Sequence, residues 1–252
     1  LGPGYIRGSF MVVVFGGVGD LFGTLIGAMT LGVVNKFLEP YAGAVLGKQF
    51  ELEMATELCE MSPADAITAL NEARQRQLVW IRPDGAQCVY IHDKIRAALL
   101  ERLPIEQRQH QHDRAARYLL VHSPERFSEL AYHFDAAGDA AAALPYAMQA
   151  ADQARSQYAL EVAEQQYRIA LRGARGDAAR FNIVEGLGDV LMLRGRYAQA
   201  GEFFESADAL ASCGLTKAKI RSKLGELSFK RGDMGAAISD FEHALRLLGR
   251  YV

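Results

Sequence analysis

The sequence predicts a mainly α-helical chain: a stack of helical hairpins at the back, a helical unit with one β-hairpin in the middle, and an apolar helical segment at the front. Three observations predict it. Residues 187–210 reappear in pattern at 224–247, 37 residues on; a Pro-Asp-Gly turn lies between two β-favouring runs; and the charge pattern changes sharply near Lys48. Before Lys48 the only charged side chains are Arg7, Asp20, Lys36 and Glu39, whereas from Glu51 onward charges recur at nearly every helical turn.

Composition sets the outer bounds. Half of the 252 residues are apolar, 23% are charged and the formal net charge is -2. This is the profile of an ordinary folded chain, and nothing in it recommends nucleic acid or anionic lipid as a partner. Cys59, Cys88 and Cys213 are an odd number with no C-x-x-C pair, which favours small buried thiols in a reducing compartment over disulfides or a zinc site. A start at Leu1 and a stop at Tyr251-Val252, directly after a helical pattern, suggest a piece of a longer protein.

Residues 1–47 form the apolar front segment. Leu21 to Leu38 is an 18-residue mostly apolar run. As a helix it would span about 27 Å, close to a bilayer's hydrocarbon core of ~30 Å. Membrane association through residues 10–38 is therefore one expectation. Gly23, Gly27, Ala28 and Gly32 would put small residues on one face, where another helix could approach. A phosphate-binding turn at Gly17, Gly19 and Gly23 has the wrong spacing by one residue, and G-x-x-x-x-G-K-[ST] occurs nowhere in the chain.

Residues 48–122 predict a winged-helix-like domain. Ser62-Pro63-Ala64-Asp65 is a helix start, with Ser62 as N-cap, proline at the first helical position and Asp65 near the positive end of the dipole. Ala66, Ile67, Leu70 and Ala73 then fall on one face. Leu78 to Ile81 and Gln87 to Ile91 are two strands joined through Pro83-Asp84-Gly85, with a helix following over Asp93 to Arg102. The helix from Pro63 to Gln77 carries Arg74 and Arg76 but also Asp65 and Glu72, so it lacks the basic character of a DNA-reading helix. His110 and His112, two apart on a helix, point to different faces and are expected in solvent.

Residues 123–252 predict tetratricopeptide-like helical repeats. Leu187-Gly188, Gly195, Ala200, Phe204, Ala207 and Leu210 align with Leu224-Gly225, Gly232, Ala237, Phe241, Ala244 and Leu247. The interval of 37 lies near the roughly 34 residues of a tetratricopeptide unit. Gly188 and Gly225 are expected to make room for Ala200 and Ala237, Gly195 and Gly232 to supply the left-handed turn, and Phe204 and Phe241 to fill the space between adjacent hairpins. A looser earlier unit places Leu130, Gly138, Ala143 and Ala150 at the same offsets, with Ala147 for the aromatic. Tyr158 to Ala174 then carries a second-helix pattern, giving about three and a half hairpins.

Two resemblances add to this reading. Phe15 to Ala28, continuing through Asn35 to Pro40, resembles the late transmembrane region of urea and branched-chain amino acid ABC-transporter permeases. Residues 43–252 resemble the winged-helix and superhelical-repeat region of signal-transduction (STAND-type) ATPases related to the maltose regulator. That likeness is carried by Ala44 to Phe50, the hairpin, Tyr90-Ile91-His92-Asp93 with Arg96, and Phe127 to Phe134. It implies that His92 contacts a nucleotide phosphate when an ATPase domain lies upstream, ATP or ADP being a cofactor of the parent and none being expected in this chain. The two resemblances meet at residues 42–48, the apparent join of a fusion.

The expectation for function is a non-catalytic regulatory and protein-interaction module from a larger signalling ATPase or transcriptional regulator. It would take a protein or peptide on the concave repeat surface, with the parent's ATPase domain as a further partner. Residues 48–252 are expected in the cytoplasm. The alternative is a permease fragment with a fused soluble tail. An enzyme is not expected, since no nucleophile with a base, carboxylates at metal spacing, or phosphate loop stands out.

Overall fold

The computed structural model describes residues 49–58, 62–75, 79–82, 87–90 and 104–250. The apolar segment 1–47, Cys59, the Pro83-Asp84-Gly85 turn, His92 and the helix expected over Asp93 to Arg102 lie outside the described residues. Among those described, the chain is mainly α, with ten helices and three short strands, and it divides into two compact units, Leu1–Tyr118 and Leu119–Val252. No described helix is long and apolar enough to cross a membrane.

In the first unit, β1 (Gln49–Glu51) runs into α1 (Leu52–Leu58), followed by α2 (Pro63–Gln75), β2 (Val79–Ile81), β3 (Gln87–Tyr90) and α3 (Ile105–His122), in which the division between units falls. Ser62 opens α2 as expected: its Oγ accepts from the Asp65 amide at 3.2 Å and donates to Asp65 Oδ2 at 2.7 Å. Ala66, Leu70 and Ala73 are buried, but Ile67 is exposed, so the buried stripe is narrower than the sequence suggested. The hairpin forms with Trp80 opposite Val89 and Ile81 opposite Cys88. The Arg82 amide donates to the Gln87 carbonyl at 2.9 Å. β1, which the sequence did not announce, pairs antiparallel with the other edge of β3, giving the order β1-β3-β2.

Cys88 sits fully buried in the central strand, and burial pushes its thiol up to about 11. Cys213, in contrast, is exposed, against the expectation of small buried thiols. On α3, His110 is exposed while His112 is buried, because His112 shares a stripe with Ala115, Ala116 and Leu119. The two faces were foreseen; solvation of His112 was not.

The second unit continues with α4 (Phe127–Ala136), α5 (Ala140–Ser156), α6 (Leu160–Gly173), α7 (Asp177–Leu193), α8 (Tyr197–Leu210), α9 (Gly214–Lys230) and α10 (Met234–Leu247). Each helix packs against the next in sequence, and α4 also touches α6. Consecutive helices are joined by three residues throughout. Helices α5/α6, α7/α8 and α9/α10 close through one turn chemistry. Tyr158, Gly195 and Gly232 adopt positive φ, and the next residue donates to the carbonyl five back: Ala159 to Ala154, Arg196 to Leu191 and Asp233 to Ser228. This is the Schellman closure, which satisfies otherwise orphaned helix carbonyls. Between hairpins the chain leaves the helix in extended form instead, at Ala174 and Ala211, also 37 residues apart.

The register therefore runs through three hairpins. Followed back from Gly195 it reaches Tyr158, so Ala151, Ala163, Tyr167 and Ala170 answer to Gly188, Ala200, Phe204 and Ala207. α5 is the first helix of the earliest full hairpin and α4 the odd half unit, whereas the sequence reading had paired the segment around Leu130 as the full unit. Gly138 closes α4 onto α5 with the same bonds, which explains why that pairing looked plausible.

The glycine contacts also differ from expectation. A Cβ on Gly188 would lie 2.5 Å from Phe204 Cε1, and one on Gly225 would lie 2.9 Å from Phe241 Cε1. These glycines make room for the aromatic rings of their own hairpins, not for Ala200 and Ala237. The following hairpin approaches the same rings. Gly186 of α7 faces Tyr167, with a Cβ there only 2.6 Å from the ring, and Lys223 of α9, at the equivalent register position, has its Nζ 5.7 Å from the Phe204 centroid. Phe204 thus links its own hairpin to the next, and Tyr167 reaches the next, whereas Phe241, in the last described hairpin, packs on its own and is 38% exposed.

Phe204 is fully buried, so Phe204→Ala is expected to remove about 3–5 kcal/mol of stability in urea unfolding. A loss under ~1 kcal/mol would contradict its placement. Tyr158 is 79% exposed and holds φ +57, so its ring gives up little on removal while its backbone is strained. Tyr158→Gly is expected to raise stability by about 1 kcal/mol, and an unchanged or lower thermal midpoint would show that the ring contributes more than the strain costs.

Candidate functional site

Two groups of charged side chains decorate the second unit, and the packing register positions both. The first follows the first helices of the hairpins. Asp152 on α5, Asp189 on α7 and Glu226 on α9 stand 37 residues apart, forming a column of carboxylates at one register position. The buried Tyr167 hydroxyl donates to Asp152 Oδ1 at 2.8 Å. Burial, then this bond, raises the Tyr167 phenol above its ordinary range. Arg155 lies 3.7 Å from Asp152 and 3.6 Å from Asp189. Lys223 donates to both Asp189 oxygens at 2.6 and 2.7 Å.

Glu185 is the buried anchor of this face, 7% exposed. Its Oε1 takes the ammoniums of Lys219 and Lys223 at 2.6 and 2.7 Å. Both contacts lie at hydrogen-bond distance, so charge-assisted bonding and Coulomb attraction act together in these pairs. Burial alone would raise the Glu185 carboxyl; the two lysines outweigh it and hold the carboxyl below the usual carboxylate range. Arg221 makes a comparable bridge on the second-helix side, 2.6 Å from Asp208 and 3.3 Å from Asp240.

The second group surrounds Glu164 on α6, also 7% exposed. Arg168 donates to its Oε1 through Nε at 3.0 Å and Nη2 at 2.9 Å. Arg194 Nη1 binds Oε2, and Arg196 Nη1 reaches both oxygens at 3.3 and 3.4 Å. One turn along α6, Arg172 makes a bidentate pair with Asp135 of α4, at 2.7 and 2.6 Å. Together these residues line a cleft of about 490 Å³ that also includes Tyr132 and Glu161. The Glu164 carboxyl is pushed up by burial but pulled down further by Arg168, Arg196 and Arg194, so it lies below the usual range.

Of the residues singled out in the sequence, Ala200, Phe204, Gly188, Ala237 and Gly225 are buried packing positions, Gly195 and Gly232 are turn positions, and Phe241 is 38% exposed on α10. His92 lies outside the described residues. Neither charged group was foreseen. A readable signal existed for Glu164, which stands three residues before Tyr167 on the same buried stripe as Ala163 and Ala170. Among the described residues, no three His, Cys, Asp or Glu side chains converge as a metal site would require. No protein-family model matches the chain, and no curated protein matches it.

Both buried glutamates have folded-state values below the roughly 4.3 of a free side chain. The stability they contribute is fully present above that pH and disappears as pH falls through their lower folded values. Glu164→Gln is expected to cost about 1–3 kcal/mol at pH 7, less than a fully enclosed pair because the arginines reach solvent. The difference from wild type should shrink near pH 3. Equal differences in urea unfolding at both pH values would show that packing, not charge, is what the variant loses.

Proposed function

We propose that this chain is a regulatory, protein-interaction module: tetratricopeptide-type repeats preceded by a winged-helix unit, of the kind found in signalling ATPases and their transcription-regulating relatives. The observation that carries the reading is the register itself. Three hairpins built on one plan, with the turn at Tyr158, Gly195 and Gly232 and the aromatic at Tyr167, Phe204 and Phe241, are supported by stacking and not by a central catalytic cavity. Such a stack presents the first helices side by side, and here that surface bears the carboxylate column with its lysines.

The helix α2 followed by the β2–β3 hairpin supports the winged-helix assignment of the front unit. β1 against β3 makes the small sheet that such a unit would use to carry its wing. In this reading the partner is a protein or peptide held by the repeats, nucleotide belongs to an ATPase domain of the parent, and the chain itself catalyses nothing. The permease-fragment reading rests on residues 1–47 alone.

Lys219 and Glu226 are two of the exposed charges of α9, with side chains 58% and 50% exposed. Changing both, Lys219→Gln with Glu226→Lys, leaves Glu185 paired with Lys223 and is expected to abolish capture of the partner by the immobilised full chain while the circular dichroism melt stays within a few degrees. Equal capture by a folded variant would refute the role of this face. Retention of the full chain in membranes after alkaline extraction would favour the permease fragment.

A further inference from the structure

We propose that the arginine-lined cleft between α4, α6 and the α7–α8 turn is a docking site for an acidic peptide segment, whose carboxylates pair with Arg168, Arg194 and Arg196. This surface is separate from the carboxylate column on the first helices. The proposal rests on the interaction-module reading only in taking the ligand to be a peptide.

Charge balance is the first argument. Four arginines line the cleft against three carboxylates. Asp135 is fully engaged by Arg172, which leaves Arg168, Arg194 and Arg196 to share Glu164 and Glu161. Glu164 has two oxygens for three guanidiniums. Arg196 comes off worst, with only Nη1 engaged, at 3.3 and 3.4 Å. Charge-assisted bonds of full strength lie near 2.7–2.9 Å. The side chains of Arg168 and Arg196 are 44% and 47% exposed, so their remaining N–H groups face solvent in the cleft. Glu161, which holds Arg194 at 2.8 Å, is 84% exposed, and a surface pair of that kind gives way easily to an incoming carboxylate.

Shape supplies the second argument. A further cavity, also about 490 Å³, shares Arg196 with the first and runs over Gly195 to Gln199 at the start of α8. An occupant of both must be elongated, which a peptide is and a compact ion is not.

The register adds a third. The position that holds Asp233 in the last hairpin holds Arg196 in this one. Asp233 caps α10 by accepting from the Ala236 amide at 3.0 Å, whereas α8 has no side-chain cap. Where the last hairpin supplies an anion to its second helix and the first has the neutral Ala159, this hairpin supplies a cation beside uncapped amides, which suits an anion supplied by a ligand.

The test uses the full 252-residue chain and a fluorescein-labelled ten-residue peptide of alternating Glu and Ala, with Gln replacing Glu as control. Anisotropy should show binding by the Glu peptide only, at least tenfold weaker at 200 mM than at 50 mM salt. Arg196→Asp restores the cap that Asp233 provides, so it should keep or raise the thermal midpoint while weakening the peptide at least tenfold. Should that variant fail to fold, Arg168→Gln is held to the same tenfold loss. Equal binding of the two peptides, or of folded Arg196→Asp and wild type, would overturn the proposal. So would inorganic phosphate competing as tightly as the peptide, which would make the cleft a simple anion site. Failure here with partner capture still lost in the α9 double variant would leave the module reading intact; the converse pattern would remove that reading and keep this site.

Discussion

Every hairpin of the second unit depends on an aromatic ring pressed against backbone. Phe204 on Gly188 and Phe241 on Gly225 sit so close that a single methyl group would overlap the ring. Tyr167 has the same relation to Gly186 across the gap to the following hairpin. A close-packed contact of this kind has no slack, and it fixes both the distance between the helices and the rotation of one about the other. Phe204 is held on one side by Gly188 of its own hairpin and approached on the other by Lys223 of the next, and Tyr167 meets Gly186 of the next, so these contacts carry the register from hairpin to hairpin. The 37-residue interval in the turns, the extended linkers and the small residues all follow from repeating them.

Charge is arranged around that framework and not in place of it. Glu164 and Glu185 each occupy a helix position turned toward a neighbouring helix, and each is neutralised by basic residues from the following hairpin or turn: Arg194 and Arg196 for Glu164, Lys219 and Lys223 for Glu185. A buried carboxylate of this sort adds little net stability, since its desolvation offsets most of the attraction. Its larger effect is on specificity: a hairpin stacked out of register would leave the carboxylate unpaired, at a cost of several kcal/mol. The ring contact and the buried glutamates therefore select the same alignment by different physics.

Much of this was legible in the sequence, and the exceptions are instructive. The repeat, its two turn glycines and the β-hairpin could be read because each is a local signal: a fixed interval, a residue type demanded by positive φ, a turn tripeptide. The earliest full hairpin was mis-phased because Tyr158 occupies the position of the turn glycine, so the marker vanished while the geometry stayed. The partner of Gly188 was misassigned because a helix places several residues near any small one, and only packing decides between Ala200 and Phe204. β1, three residues long with a single apolar residue, Phe50, between Gln49 and Glu51, carries too little pattern to announce itself. The ion pairs were hidden for a deeper reason. Apart from Arg168–Glu164 and Arg155–Asp152 within one helix, they join residues 13 to 38 positions apart, and nothing local in Arg194 or Lys223 says which carboxylate lies opposite.

A repeat also gives a means of separating what the fold requires from what it permits. Positions that keep their character through all three hairpins, such as Ala163, Ala200 and Ala237, or Tyr167, Phe204 and Phe241, carry the packing and can vary only in size. Positions that change chemistry at constant geometry are released from that duty. Arg196 in place of Asp233 is the sharpest case, since a carboxylate at the head of the helix satisfies amides that a guanidinium leaves open. Lys223 in place of Gly186 is another, a cation brought over an aromatic ring where the preceding hairpin has only backbone. Both departures put positive charge at the junctions between hairpins, beside buried glutamates that have no counterpart in the neighbouring units. The surface chemistry of this chain is therefore written where the repeat breaks its own rule, and the framework of rings and glycines leaves those positions free to do so.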